Sequence, residues 1–349
     1  MMSVGLSSCS GDNPACIEPE QPRQASVTLM VTENSLGDNG YNDCAADGIL
    51  AFAYETGTPL RMLQPTDMTE AEAMYRRWLE EYAEADSAVL IVGSTTYEPM
   101  VRQWPPALKG RGSRVLLVES DNEIEGVTTV MIDRYGVDYL AGAMSRDFNA
   151  LILAAAPGYS TLERAISGFS DARSLHAGEH NGQAYTTELH YLADGEEGFS
   201  MPDSAYRYIA HRAEGRFNYD EMIFPLLGGS QSGIKDRLND DLFNAALMIG
   251  MDTDQEGQCT RLPFSVEIRI GDVLSQLLHG WLRGEEWQGT CRPGMKEGAA
   301  GIAVNGRFGP DLVLSDDRYS TPGEFERRYK QYLEEALQKE SERHEHDNE

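Results

Sequence analysis

The run Val27-Thr28-Leu29-Met30-Val31 hands over to Gly37-Asp38-Asn39-Gly40-Tyr41-Asn42-Asp43, and the reading of this passage decides the fold. The first part is an apolar strand. The second is a glycine-rich turn, and a helical pattern, Cys44 to Tyr54, follows it. Glycine lets the backbone turn tightly where a strand becomes a helix, and the first helical amides then face whatever lies beyond the strand end. Asp38 and Asn42 bring hydrogen-bonding side chains there, and Tyr41 brings a flat ring. In an open α/β sheet, ligands bind outside the carboxyl ends of the strands. The passage therefore reads as a ligand clamp. Its plainer alternative is a capped turn closed by Asp38 or Asn42.

Working outward, strands and helices alternate. Apolar runs at 26–33, 59–64, 88–93, 114–119 and 129–133 enclose helical patterns at 44–54, 69–83 and 97–108. Met74, Trp78, Leu79 and Tyr82 share one face of the second helix, with Trp78 as a core residue, and Thr69 with Glu72 reads as its capping box. After a helix at 137–148 the alternation restarts. Strands are expected at 150–156, 188–192, 222–227 and 245–251, and helices at 160–169, 203–213 and 230–242. Strands separated by helices imply parallel, doubly wound sheets. A strand at 263–270, a helix at 273–282, a strand at 298–304 and a charged helix from 321 that frays into an acidic tail complete the chain. His344 and His346 in that tail read as solvated.

The chain has 349 residues, enough for two domains, and no apolar stretch that spans a bilayer. Its formal net charge is −28, which argues against nucleic acid as a partner, since that binding rests on Lys and Arg neutralising phosphates. The charge also disfavours highly anionic ligands. The five cysteines include no C-x-x-C pair, so neither a zinc ribbon nor a redox motif is expected. Cys259 and Cys291 are open to either a disulfide or two free thiols. Residues 1–25 read as a polar tether. Leu6-Ser7-Ser8-Cys9 resembles a lipobox, with Cys9 as the acylated residue and a chance tail cysteine as the alternative.

Polar or glycine-rich sequence follows several strands: 38–42, Gly93 to Glu98, Gly228 to Gly233, and Asp252-Thr253-Asp254-Gln255. Loops at carboxyl ends of two facing sheets would line one cleft. Each has a plain reading as well: a turn at 228–233, a loop cap at Asp252, an exposed helix-start acid at Glu98.

Taken in order, these segments resemble the basic membrane protein family of bacterial lipoproteins, the purine-nucleoside-binding components of ABC transporters. The resemblance is carried by Asp38-Asn39-Gly40-Tyr41-Asn42, Tyr135 to Ala143, Ile223 to Ser230, Ile249 to Gln255 and Met295 to Gly301. It implies a type I periplasmic-binding fold: two doubly wound parallel-sheet lobes with a ligand cleft between them. One lobe would comprise 26–147 plus 259–290, the other 148–258 plus 291–318, with 319–349 as a C-terminal helix and tail. By this resemblance Tyr41 and Phe199 would flank a base, Asp38 and Asn42 would hydrogen-bond the ligand, and Glu98 would read the base. Gly228 and Gly229 would admit the ligand close to the backbone, and Asp252 would hold ribose hydroxyls. The family's ribose-binding lysine falls on Phe264, and Glu98 stands for an aspartate. Both departures leave a different sugar-like or heterocyclic ligand open. The implied protein is a lipid-anchored monomer of the cell envelope, without cofactor or metal, that hands a small neutral ligand to an ABC permease. The alternative is an enzyme on a doubly wound fold, a nucleoside hydrolase or a dinucleotide-dependent oxidoreductase.

Overall fold

The computed structural model describes residues 25–32, 36–37, 40–83, 87–106, 114–180, 183–214, 221–240, 246–287, 289–305 and 322–347. Cys9 and Asp38 lie outside them. The first sheet is built from β1 (Ser26–Met30), β2 (Leu60–Leu63), β3 (Ala88–Val92), β4 (Val115–Val118) and β5 (Val127–Val130), with β14 (Thr290–Cys291) added at one edge. Its order is β14-β5-β4-β3-β1-β2, and every pairing is parallel. The Ala-Val-Leu-Ile-Val run of β3 is buried throughout, as a strand covered on both faces requires. On one face lie α2 (Met68–Glu81) and α3 (Glu98–Gln103), with Trp78, Tyr75 and Met100 in a core of their own. The Trp78 indole N–H donates to Thr28 Oγ1 at 3.0 Å, which satisfies a polar atom inside that core.

The second sheet has the order β11-β10-β6-β9, again all parallel: β6 (Asn149–Ala154), β9 (Thr187–Tyr191), β10 (Glu221–Leu226) and β11 (Leu247–Met248). The helices α5 (Ser160–His176), α6 (Pro202–Ala213) and α7 (Gln231–Asp240) alternate with its strands, and α4 (Tyr135–Met144) packs on α5. In both sheets the first strand lies between the second and the third, so each has a topological switch point beside its first strand. A third sheet, β12 (Gly250–Asp252), β13 (Phe264–Ile268) and β15 (Ala300–Val304), mixes one parallel and one antiparallel pairing. After β13, α8 (Ile270–Leu282) packs on α1 (Tyr41–Thr56). A small hairpin, β7 (Glu179–His180) with β8 (Gln183–Ala184), leaves the end of α5.

Several expectations shift. The cap of α2 is Asp67, whose carboxylate accepts from Glu70 N at 2.8 Å, while Glu70 reaches back to the backbone N–H and hydroxyl of Thr66. The capping box therefore sits two residues before the expected Thr69 and Glu72. Helix α3 ends at Gln103, ahead of Pro105 and Pro106, instead of running to 108. The single strand expected at 245–251 divides into β11 and β12, which belong to different sheets. Cys259 and Cys291 are free thiols.

The charged C-terminal segment is a docked helix, α9 (Pro322–Asp347). Tyr332, Ala336 and Glu340 recur every fourth residue and are buried in a stripe that faces α4. His344 reaches the Asp133 carboxylate, and His176 meets Glu335 at 3.0 Å. The reading of His344 as a solvated tail residue is thereby corrected. No helix among the described residues is long and apolar enough to cross a membrane.

Candidate functional site

The two sheets present the carboxyl ends of their strands to one cleft of about 490 Å³. That volume suits a small molecule. From the first sheet come Thr32 after β1, Pro65 to Asp67 after β2, Gly93 to Tyr97 after β3, and Glu119 after β4. From the second come Tyr159 after β6, Phe199 after β9, and Leu227 to Gly229 after β10. Arg134, after β5, and Asp252, at the end of β12, are the most deeply buried charged residues of the lining, 8% and 9% exposed. The cleft thus lies where both switch points meet, as the rule for open α/β sheets requires.

Of the residues singled out from the sequence, Tyr41, Asn42, Phe199, Gly228, Gly229 and Asp252 all line this cleft. Tyr41 and Asn42 open α1, so strand β1 and its turn deliver them. Burial, and then the charges of Glu119 and Asp252, raise the Tyr41 hydroxyl well above the usual tyrosine range, which keeps it a neutral donor. Glu98 is not among the lining residues. As the first residue of α3 it accepts from Arg102 Nε at 2.7 Å, Ser120 Oγ at 2.9 Å and Asn122 Nδ2 at 3.0 Å. Burial pushes its carboxyl up, but these bonds outweigh burial and hold it below the usual glutamate value. Its hydrogen bonds tie α3 to the turn after β4. Phe264 is fully buried in β13 and contributes no polar group.

Gly228 and Gly229 position an aromatic wall. Gly228 has φ 51°, and a Cβ there would stand 3.2 Å from Phe199 Cδ1. The next residue, Ser230, is fully buried. Its hydroxyl donates to Gly198 O at 2.8 Å and accepts from Met201 N at 2.5 Å, which clamps the 196–200 turn onto the start of α7. Phe199 is held between that clamp and Tyr159, whose ring meets it edge-on at 5.2 Å.

Among the lining residues that the sequence reading did not single out are Glu119, Arg134 and Tyr159. The signal for the first two was their place directly after a strand, at the carboxyl end. Arg134 Nε donates to Asp138 Oδ2 at 3.3 Å and its Nη1 to Asp252 Oδ1 at 3.1 Å. Burial works against the guanidinium charge, and Asp138 and Asp252 more than restore it. Burial raises fully enclosed Asp138 to about 6, and Arg134 offsets this only in part. Glu119 and Asp252 have φ 62° and 70°, the only non-glycine residues with positive φ among the described ones. Such a conformation costs about 1–3 kcal/mol and gathers at ligand sites.

Among the described residues, polar contacts link the strand-end turns of the first sheet to elements of the second. The Thr96 hydroxyl, after β3, donates to Glu196 Oε1 at 2.6 Å. Asp121, after β4, meets Arg164 of α5 at 3.6 Å and Arg292 at 3.3 Å. Among the described residues no group of three His, Cys, Asp or Glu side chains is arranged to hold a metal.

No protein-family model matches the chain, and no curated protein matches it in sequence. Solved structures do match its fold. An ABC transporter solute-binding protein from Aeropyrum pernix K1 superposes with a TM-score of 0.66 at 15% identity, covering 91% of this chain and 90% of that one. A transcriptional activator of the comK gene from Bacillus halodurans gives 0.64 at 12% identity, with 89% and 96% covered. A carbohydrate transporter solute-binding protein from Agrobacterium radiobacter, in complex with D-arabinose, gives 0.55 at 12% identity, with 84% and 98% covered. At these identities the likeness is one of fold: the chain has the α/β, parallel-sheet architecture of periplasmic-binding-protein-like structures.

Proposed function

We propose that this protein is the substrate-binding component of an ABC transporter and that it captures a small neutral ligand, a purine nucleoside, between its two lobes. The observation that carries the proposal is the cleft itself. It lies at the meeting of two switch points, with aromatic rings on its walls and a buried Arg134–Asp252 pair deep inside. Tyr41 and Phe199 flank the base, Asn42 hydrogen-bonds the ligand, Gly228 and Gly229 keep the wall close, and Asp252 takes ribose hydroxyls. Asp38 belongs to the same proposal through the resemblance. The fold neighbours named as solute-binding proteins support a transport role and a permease partner. The surplus of acidic residues favours an uncharged ligand. Cys9 is proposed as the acylated residue that tethers a monomer to the cell envelope, with residues 10–25 as spacer.

A thermal-shift screen of the purified chain against inosine, guanosine, adenosine and the matching nucleotides tests the ligand. A ligand that binds only the folded state raises Tm by mass action. The expected outcome is a shift with a nucleoside and none with its nucleotide. No shift with any nucleoside overturns the nucleoside assignment and moves the ligand to another sugar-like class. Hydrolysis of a nucleoside, or tight binding of NAD, overturns the binding-protein reading.

A further inference from the structure

Deep in the cleft sits a side chain with an unused donor. Two of the three Arg134 nitrogens are engaged, by Asp138 and Asp252. The third, Nη2, is buried and has no hydrogen-bond partner among the described residues, although Arg134 lines the cavity. A buried N–H of a charged group left without a partner loses the solvation it had in water. Because Arg134 lines the cleft, a ligand that shifts the packing around this nitrogen can supply the missing partner. A second observation points to the same place. Glu119 and Asp252, with their left-handed backbones, both line the cleft, and both act electrostatically on Arg134 and on the Tyr41 hydroxyl.

The charges select the ligand's chemistry. One guanidinium is surrounded by the carboxylates of Asp138, Asp252 and Glu119, so an anion would meet surplus negative charge. A cation has no lone pair to offer Nη2. A hydroxyl does both things required: its oxygen accepts from an N–H, and its own hydrogen goes to a carboxylate. Each carboxylate oxygen carries two lone pairs, so Asp252 can bond to Arg134 and to a ligand at once. We infer that Arg134 is a ligand-binding residue: its Nη2 donates to one hydroxyl of an uncharged vicinal diol, and Asp252 accepts from the same diol. The assignment rests on the binding-protein reading and sharpens it. The part of the ligand that reaches deepest is then the polyhydroxylated ring, whatever ring or substituent it carries toward the mouth.

The test is titration calorimetry on the full chain with inosine, 2′-deoxyinosine, 3′-deoxyinosine, D-ribose, D-arabinose and D-galactose. The variants are Arg134→Lys and the pair Arg134→Met with Asp138→Asn, which avoids stranding the buried Asp138 charge. The expected result is that at least one of these polyols binds. If it is inosine, one deoxy analogue binds at least 30-fold more weakly to the unsubstituted protein. In both variants the full polyol falls at least 30-fold, and the difference between inosine and that analogue disappears. Undiminished affinity in the paired variant, unimpaired binding of both deoxy analogues, or the absence of binding by every polyol overturns the assignment. A sugar that binds and depends on Arg134, with inosine inert, overturns the nucleoside reading and leaves the diol site standing. Inosine that binds the variants as well as the unsubstituted chain does the reverse.

Discussion

At the residue scale, Tyr41 combines two tasks that the sequence suggested separately. Its position at the first turn of α1 was legible from the glycine-rich turn after an apolar strand, and so was its place at a strand's carboxyl end. What was not legible is that its hydroxyl faces a buried cluster of Glu119, Asp252 and Arg134, because those residues stand 78 or more positions away in the chain. A flat ring at the cleft wall adds about 1–3 kcal/mol when a base or sugar face packs on it. Tyr41→Ala is therefore expected to weaken ligand binding 10-fold or more, measured by calorimetry, while the Tm of the free protein stays within a few degrees. An equal loss of free-protein stability would make Tyr41 a core residue instead. Glu98 teaches the opposite lesson. Its place at the end of the β3 loop resembled a ligand position, and nothing in the sequence marked the three donors that bond its carboxylate. A linear sequence does not reveal which polar side chains satisfy one another.

At the element scale, the alternation of apolar runs with helical patterns was enough to read the two parallel sheets, since a strand covered on both faces must be apolar along its length. The divided strand at 247–252 was not legible, because a change of sheet leaves no mark in the apolar pattern. The docking of α9 was also missed, because its exposed faces are so charged that the Tyr332, Ala336 and Glu340 stripe is diluted. Glu340 makes that docking pH-dependent. Its carboxylate occupies the space left by Gly136 and Gly294 and accepts from Met295 N at 3.2 Å and Lys296 N at 3.4 Å. Burial raises its pKa to about 7, the backbone bond from Met295 offsets part of this, and the Asp133 charge on one side opposes His344 on the other. The folded state thus holds this proton more tightly than the unfolded state does. The stabilisation is complete below the ordinary glutamate pKa and is lost as pH rises toward about 7. The amount is on the order of 2–3 kcal/mol. The protection factors of the α9 amides, taken after correction for the base catalysis of intrinsic exchange, should therefore be higher at pH 5.5 than at pH 8. Asp138, also raised, acts in the same direction, so the comparison that isolates Glu340 is Glu340→Gln, which should flatten the difference over α9. An unchanged pH profile in that variant would remove Glu340 from the account.

At the scale of the whole molecule, the question is what holds two lobes together over a cleft they both line. Two lobes joined by a few chain crossings move as hinged bodies unless contacts across the cleft oppose it. The Thr96 to Glu196 bond is one such contact, at the mouth, and the Asp121 to Arg164 pair is another. A partly exposed hydrogen bond of this kind contributes about 1 kcal/mol, which corresponds to roughly fivefold in an opening equilibrium. Because the bond forms only when the lobes approach, it favours the closed arrangement without touching the cleft's deepest residues. Thr96→Val keeps the side-chain shape and removes the donor. It should speed ligand release about fivefold, leave the association rate nearly unaltered and shift free-protein X-ray scattering toward a larger radius of gyration, with little change in Tm. Glu196→Ala should do the same, and combining the two should add nothing further, since each variant already removes the one bond they share. Additive effects on release would mean that the residues act on the ligand independently. The contact would then be part of the binding surface instead of a latch between the lobes.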